Sequence, residues 1–319
     1  MGKLRIKSAH FLIIFVSYFS TLTAQSNVNN ELTHIQVKRL NDSFIDVYYN
    51  TVLGEKKMPV LIFCQGSGYD SNTKGFLGLA KKFEDKAIGL AIEKEGVKYG
   101  DKGDSLTDIY KENNAVYNRL YDYLRVLEYL RANAKWWNGD VYVIGASEGG
   151  LLAGMLASYY PNVKAAAILS FGCGLSFGEA WPISIGFQEK ENGTPADSIA
   201  IDEKMVSDSL AYIRQHPSLN KSYNGADNTF TWWGSIMDLR LSNSLIDLSI
   251  PIYLAQGTMD IMSPLVSAQK INKEFIEKGK KNLYYKEYEG YDHEYKDTTG
   301  KSHVVQVFID ATDWILNQK

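Results

Sequence analysis

The sequence predicts an α/β protein in which helices flank a mostly parallel central sheet, and three observations carry that prediction. Runs that read as strands recur at 59–64 (PVLIFC), 87–93 (AIGLAIE), 141–144 (VYVI), 163–172 (VKAAAILSFG), 251–257 (PIYLAQG) and 282–288 (NLYYKEY). Helix-periodic segments lie between them, an alternation that joins parallel neighbours through right-handed crossovers. One run enters the turn Gly145-Ala146-Ser147-Glu148-Gly149-Gly150 and continues as the apolar helix LLAGMLASYY.

The 319 residues suffice for one large α/β domain or two small ones, with a sizeable core. The N-terminus stands outside it. Lys3, Arg5 and Lys7 precede an apolar run at 11–19, and a polar stretch with Ala24 before Gln25 follows, the pattern of a secretory signal peptide over 1–24. The run falls short of the roughly 20 apolar residues of a membrane span. Cleavage is expected near Ala24, although Leu22 departs from the small residue preferred two places earlier; a retained anchor is the alternative. Export as a soluble protein is the expectation. Loss of the leader takes Lys+Arg from 34 to 31 against 37 Asp+Glu, moving the formal charge from −3 to −6. That balance argues against a nucleic-acid partner, since no basic cluster remains to displace counterions from phosphates. Cys64 and Cys173 each end an apolar run, where cysteine behaves as a small buried hydrophobe.

In chain order, THIQVKRL and SFIDVYYN around Asn41-Asp42 read as an antiparallel hairpin at a sheet edge. The strand at 59–64 ends in the loop Gln65-Gly66-Ser67-Gly68. Helix is expected over 75–86 and over 114–134, the latter with Tyr117, Leu120, Leu124, Leu127 and Leu130 on one stripe and a polar loop before it. The elbow strand, its helix and the strand at 163–172 complete an N-terminal core over 25–174. Alternation then breaks across 175–248, which holds Trp181, Pro182, Phe187, Phe230, Trp232 and Trp233 and looks helical at 202–214. So long a segment is expected to be a lid or cap. The core resumes over 249–319, with helices at 264–278 and 302–314.

A serine at a tight strand-to-helix turn is held out at the end of a sheet, but its hydroxyl needs a base, and the base an orienting acid. Five histidines are available. His10 leaves with the leader, His34 lies in the hairpin, His216 in the lid segment, and His303 opens the last helix. His293 follows a strand in the loop EGYDHEY, on the same sheet edge as Ser147, and is the expected base. Asp260 follows the strand PIYLAQG and is the expected acid, with Glu179 and Asp292 as rivals. Backbone amides of Ser67 and Glu148 are the expected oxyanion donors. This chemistry requires no metal or cofactor, and no Cys or His cluster has metal-ligand spacing.

These pieces resemble the α/β-hydrolase superfamily, in particular its secreted serine esterase and prolyl-oligopeptidase-like or dienelactone-hydrolase-like branch. The likeness rests on the elbow at Ser147, the acid turn in PIYLAQGTMD and the histidine loop in EGYDHEY, in the order Ser, Asp, His, and extends over about 55–319. It implies an α/β-hydrolase fold with a helical lid after the sixth strand, and hydrolysis of a small-molecule carboxylic ester through an acyl-enzyme, lactones and thioesters included. Two departures stand out: Gln65-Gly66 occupies the oxyanion loop where members commonly have His-Gly, and Glu148 follows the serine. Gln65, Trp181, Phe230, Trp232 and Trp233 are candidate substrate contacts; Gln65 can equally hydrogen-bond its own loop, and the aromatics are as well suited to holding the lid onto the sheet. A small aminopeptidase of the same fold is the nearest alternative, with Glu148 or a lid carboxylate (Glu179, Glu189, Glu191 or Glu203) capturing a substrate amine. A catalytically silent binding protein is the more remote one.

Overall fold

The computed structural model describes residues 32–52, 54–104, 106–217, 221–222 and 228–318; the expected leader lies outside them. Among these residues eight strands form one sheet in the order β1-β2-β4-β3-β5-β6-β7-β8. Strands β1 (Leu32–Lys38) and β2 (Phe44–Asn50) form the expected antiparallel hairpin, and β2 pairs antiparallel with β4 (Ile88–Ile92). The rest of the sheet is parallel: β4 on β3 (Met58–Cys64), then β5 (Trp137–Ala146), β6 (Val163–Leu169), β7 (Ile252–Gly257) and β8 (Leu283–Tyr288).

Side chains alternate across the sheet and feed two cores. In β3, Val60, Ile62 and Cys64 join the core beneath α3 (Val116–Asn133), α4 (Glu148–Tyr159) and α9 (Leu265–Glu277). Leu61 and Phe63 face the other core, closed by α1 (Thr73–Ala80) and α10 (Val304–Leu316). Both faces are covered, so the inner strands are apolar throughout.

Some boundaries differ from the sequence reading. The helix expected over 75–86 is α1 followed by a tight turn over Lys81–Phe83. The polar loop before α3 contains α2 (Asp108–Asn113), whose first turn is capped by Thr107 Oγ1 accepting from Tyr110 N at 3.1 Å. Between β6 and β7 the chain forms α5 (Phe177–Glu191), α6 (Ala196–Gln215), α7 (Phe230–Ile236) and α8 (Ser242–Leu245), so the helix expected over 202–214 is the later part of a longer one.

Candidate active site

Ser147 sits between β5 and α4 with φ 56° and ψ −128°, a left-handed conformation that a non-glycine residue adopts under strain. The flanking glycines serve close approach. A Cβ on Gly149 would strike the Cys64 carbonyl at the end of β3, and one on Gly145 would strike the carbonyl of Gly149. The turn is thereby jammed against the neighbouring strand, and Ser147 N donates to Leu169 O at 2.9 Å to fix it to β6.

Loops from the ends of two further strands meet that serine. His293 Nε2 lies 3.1 Å from Ser147 Oγ, while Nδ1 lies 2.9 and 3.0 Å from Oδ2 and Oδ1 of Asp260. The carboxylate only accepts, so the neutral ring carries its proton on Nδ1 and presents the Nε2 lone pair to the hydroxyl. Asp260 is buried and receives Met262 N at 2.9 Å, Ser263 N at 2.8 Å and Gln256 Nε2 at 2.5 Å. Burial pulls the His293 pKa down, but the charge and hydrogen bond of Asp260, with Glu294 and Asp292 behind it, outweigh burial and raise it above the ordinary value.

The histidine loop is stitched to the sheet from below. Tyr295, fully buried, donates its hydroxyl to Ala255 O at 3.1 Å and accepts from Ser170 N at 3.1 Å, and Ser170 Oγ donates to His293 O at 2.9 Å. The two rival acids are occupied elsewhere. Asp292 Oδ1 caps its own turn, accepting from Glu294 N at 2.9 Å and Lys296 N at 2.8 Å. Glu179 forms a capping box with Ser176 and pairs with Arg240, which hold its carboxyl well below the usual range, at about 2. The other described histidines lie apart: His34 pairs with Asp46, His216 with Tyr212 O, and His303 with Asp297.

A mostly apolar pocket opens over Ser147 and His293, with Ser67 and Glu148 at its edge. Phe177, Trp181, Trp232 and Trp233 wall it, packed ring to ring, with Trp232 and Trp233 edge to face at 4.9 Å and Phe177 and Trp181 stacked at 5.5 Å. Phe230 is not in this wall; it is buried against Tyr212 of α6, 6.0 Å between ring centres, and anchors the insertion. Gln65 does not reach the pocket either. Its amide is fully buried, donating to Ile92 O at 2.8 Å and accepting from Asn72 N at 3.1 Å, which secures the loop after β3. Cys173 lines the pocket and Cys64 lies under the elbow; both are buried free thiols, and burial pushes each pKa up.

The Glu148 carboxylate is committed within the protein. Oε1 receives Arg119 Nη1 at 2.6 Å and Oε2 receives Trp232 Nε1 at 2.8 Å, with the residue 3% exposed. A substrate amine would have to displace a guanidinium. Glu179, Glu189, Glu191 and Glu203 do not line the pocket; Glu189 bonds Thr194 and Glu191 borders a separate surface cleft.

No family model and no curated protein matches the sequence. Solved structures do match. Est1E from Butyrivibrio proteoclasticus, determined with ferulic acid bound, superposes with a TM-score of 0.59 at 15% identity over 89% of this chain and 98% of its own. The fold is that of the α/β-hydrolases. The Pyrococcus furiosus esterase PF2001 gives 0.54 at 13% identity over 89% of this chain and 88% of that one. The Pyrococcus horikoshii acylaminoacyl peptidase gives 0.54 at 14% identity, with 82% of this chain covering 37% of the longer peptidase.

Within this α/β-hydrolase frame, several residues around the site escaped the sequence reading. Ser170, Gln256 and Tyr295 hold the acid and histidine loops, and Arg119 and Lys94 hold the loop after β3. Arg119 carried a signal: it falls among Val116, Leu120 and Tyr123 on the buried stripe of α3, where an arginine has to find internal partners.

Proposed function

We propose that the protein is an exported serine hydrolase that cleaves carboxylic esters through an acyl-enzyme. The observation that carries this is His293 set between Ser147 Oγ at 3.1 Å and Asp260 Oδ2 at 2.9 Å at the floor of a pocket. In this reading, His293 Nε2 takes the Ser147 proton as Oγ bonds the ester carbonyl carbon, and Asp260 holds the imidazolium that results. The carbonyl oxygen, now negative, is received by the amides of Ser67 and Glu148, the latter in the first turn of α4 where helix amides lack internal partners. The intermediate collapses, and the alcohol leaves with the proton from His293. Water, deprotonated by the same ring, then attacks the acyl-enzyme and frees the acid.

The insertion over 175–248 serves as the lid, and its aromatic wall favours an uncharged, apolar acyl or alcohol group; ferulic acid in Est1E is an aromatic acid of the kind such a wall would accept. Lactones and thioesters follow the same steps. The peptidases among the similar structures keep an aminopeptidase in view, but the commitment of Glu148 and the positions of the insertion carboxylates favour esters. Export is inferred from the leader: the protein should be recovered outside the cytosol with Gln25 as its first residue, and protein confined to the cytosol would sink that inference.

The deciding experiment assays the chain from Gln25, beside Ser147→Ala, on nitrophenyl esters of increasing acyl length and on aminoacyl nitroanilides. Ester turnover that vanishes in the variant supports the proposal. Anilide turnover without ester preference favours the aminopeptidase. Failure of Ser147 to react with a fluorophosphonate would revive the silent binding protein.

A further inference from the structure

Beneath the loop after β3, three backbone carbonyls face two buried cations. Arg119, on α3 and 5% exposed, donates from Nη2 to Gln65 O and from Nη1 to Gly66 O at 3.3 Å. Lys94, just past β4 and also 5% exposed, donates from Nζ to Gly68 O and to Gly66 O at 3.4 Å. Tyr110 Oη adds a bond to Gly68 O at 3.0 Å. The Arg119 nitrogen that reaches Gly66 O also holds Glu148 Oε1, so one guanidinium touches both segments that flank the serine hydroxyl.

The orientation of a peptide follows from where its carbonyl is held. In a trans peptide the C=O and the N–H point in opposite directions. Holding Gly66 O on the two cations therefore turns the Ser67 N–H away from them, toward the side on which Ser67 and Ser147 line the pocket. Were that peptide to flip, a carbonyl oxygen would face the developing negative charge. Buried ion pairs are a weak way to stabilise a fold, since apolar residues of similar volume often do as well. A fixed planar fork supplies direction instead.

We propose that Arg119 is the positioning residue of the oxyanion site, setting the 65–68 loop through its carbonyls and Glu148 through its carboxylate, with Lys94 bracing the loop from its other end. Arg119 touches no reacting atom. The two departures from the usual hydrolase pattern, Gln65-Gly66 and Glu148, meet at this one side chain. The inference rests on the serine-hydrolase reading, and the order of the measurements separates the two.

Turnover of nitrophenyl esters is compared first between wild type and Ser147→Ala; activity that survives this change overturns the serine-hydrolase reading itself. With Ser147-dependent turnover in hand, Arg119→Met, Arg119→Lys and the charge-neutral pair Arg119→Met/Glu148→Gln are measured, each with a thermal melt. A kcat loss of about a hundredfold, the scale of one lost oxyanion donor, is expected with KM nearly unchanged, and Arg119→Lys should recover part of it. The acid limb of the pH profile should stay in place, because His293 is untouched. Affinity for a trifluoromethyl ketone, whose adduct with Ser147 Oγ places a negative oxygen in the same site, should fall by the same factor as kcat/KM. Lys94→Met provides an independent arm with a smaller kcat loss. A folded double variant with kcat near wild type, a loss confined to KM, or an unchanged affinity for the ketone overturns the proposal.

Discussion

The floor and the wall of the pocket are built from different forces. On the floor, Ser147, His293 and Asp260 come from three loops at one sheet edge, and each loop is tied by directional bonds: Leu169 O to Ser147, Ser170 and Tyr295 to the histidine loop, Gln256 and two amides to Asp260. The wall is held by ring contacts among Phe177, Trp181, Trp232 and Trp233, and Trp232 reaches the floor through Glu148. Hydrogen bonds fall away steeply with angle and fix a geometry, whereas apolar contact tolerates repacking. Under the proposed function reaction geometry falls to the floor and selectivity to the wall, and the two should separate under mutation.

Ser147→Ala is the largest break. It should lower kcat about 10⁶-fold while leaving the wall intact, so that substrate or product still binds by calorimetry. Asp260→Asn should cost about 10⁴-fold in kcat, since an amide no longer demands a proton on Nδ1 and the ring loses its tautomer. Wall substitutions should behave differently. Trp181→Ala should change the acyl-length preference about 10- to 100-fold in kcat/KM while fluorophosphonate labelling of Ser147 proceeds at nearly the wild-type rate, and a matching loss of labelling would erase the distinction drawn here.

The smallest effects lie in the pH profile. In the proposed mechanism His293 acts as a base only when neutral, so activity should rise as pH climbs through its raised pKa, with the midpoint above about 6.5. Glu294→Gln removes one of the charges raising it and should move that limb downward. Lys94 is pulled to about 8 by burial and by Arg119, against Asp70, Glu148 and Glu93, which hold it up. Loss of its proton weakens the brace on Gly66 and Gly68, so a shallow decline above that pH is expected in wild type and should be missing from Lys94→Met.

The floor was the legible half. VYVIGA and PIYLAQG are buried and apolar almost end to end, NLYYKEY is a half-exposed edge strand, and parallel order places the loops that follow all three on one edge, so Ser147, Asp260 and His293 could be brought together from these runs. The bonds beneath them were not, because their acceptors are backbone carbonyls such as Gln65 O and Ala255 O, which leave no mark in the sequence. In the wall, α5 was missed because Pro182 and two glycines lie inside it; burial of Trp181 and Ile185 overrides poor propensity, and the Ser176–Glu179 capping box was the cue to its start. For Phe230 residue type leaves two roles open, a ring that faces a ligand and one that anchors a helix, and its packing on Tyr212 selects the second.

The Trp232 indole, bonded to Glu148 and one residue removed from the serine, also gives the chain an intrinsic optical probe. The acylation of Ser147 proposed above would change the field and the water content around that ring, so its emission should shift in step with the burst of released alcohol. The turnover cycle could then be followed by stopped-flow fluorescence with an unlabelled, unmodified ester, and Trp232→Phe would identify the source of the signal.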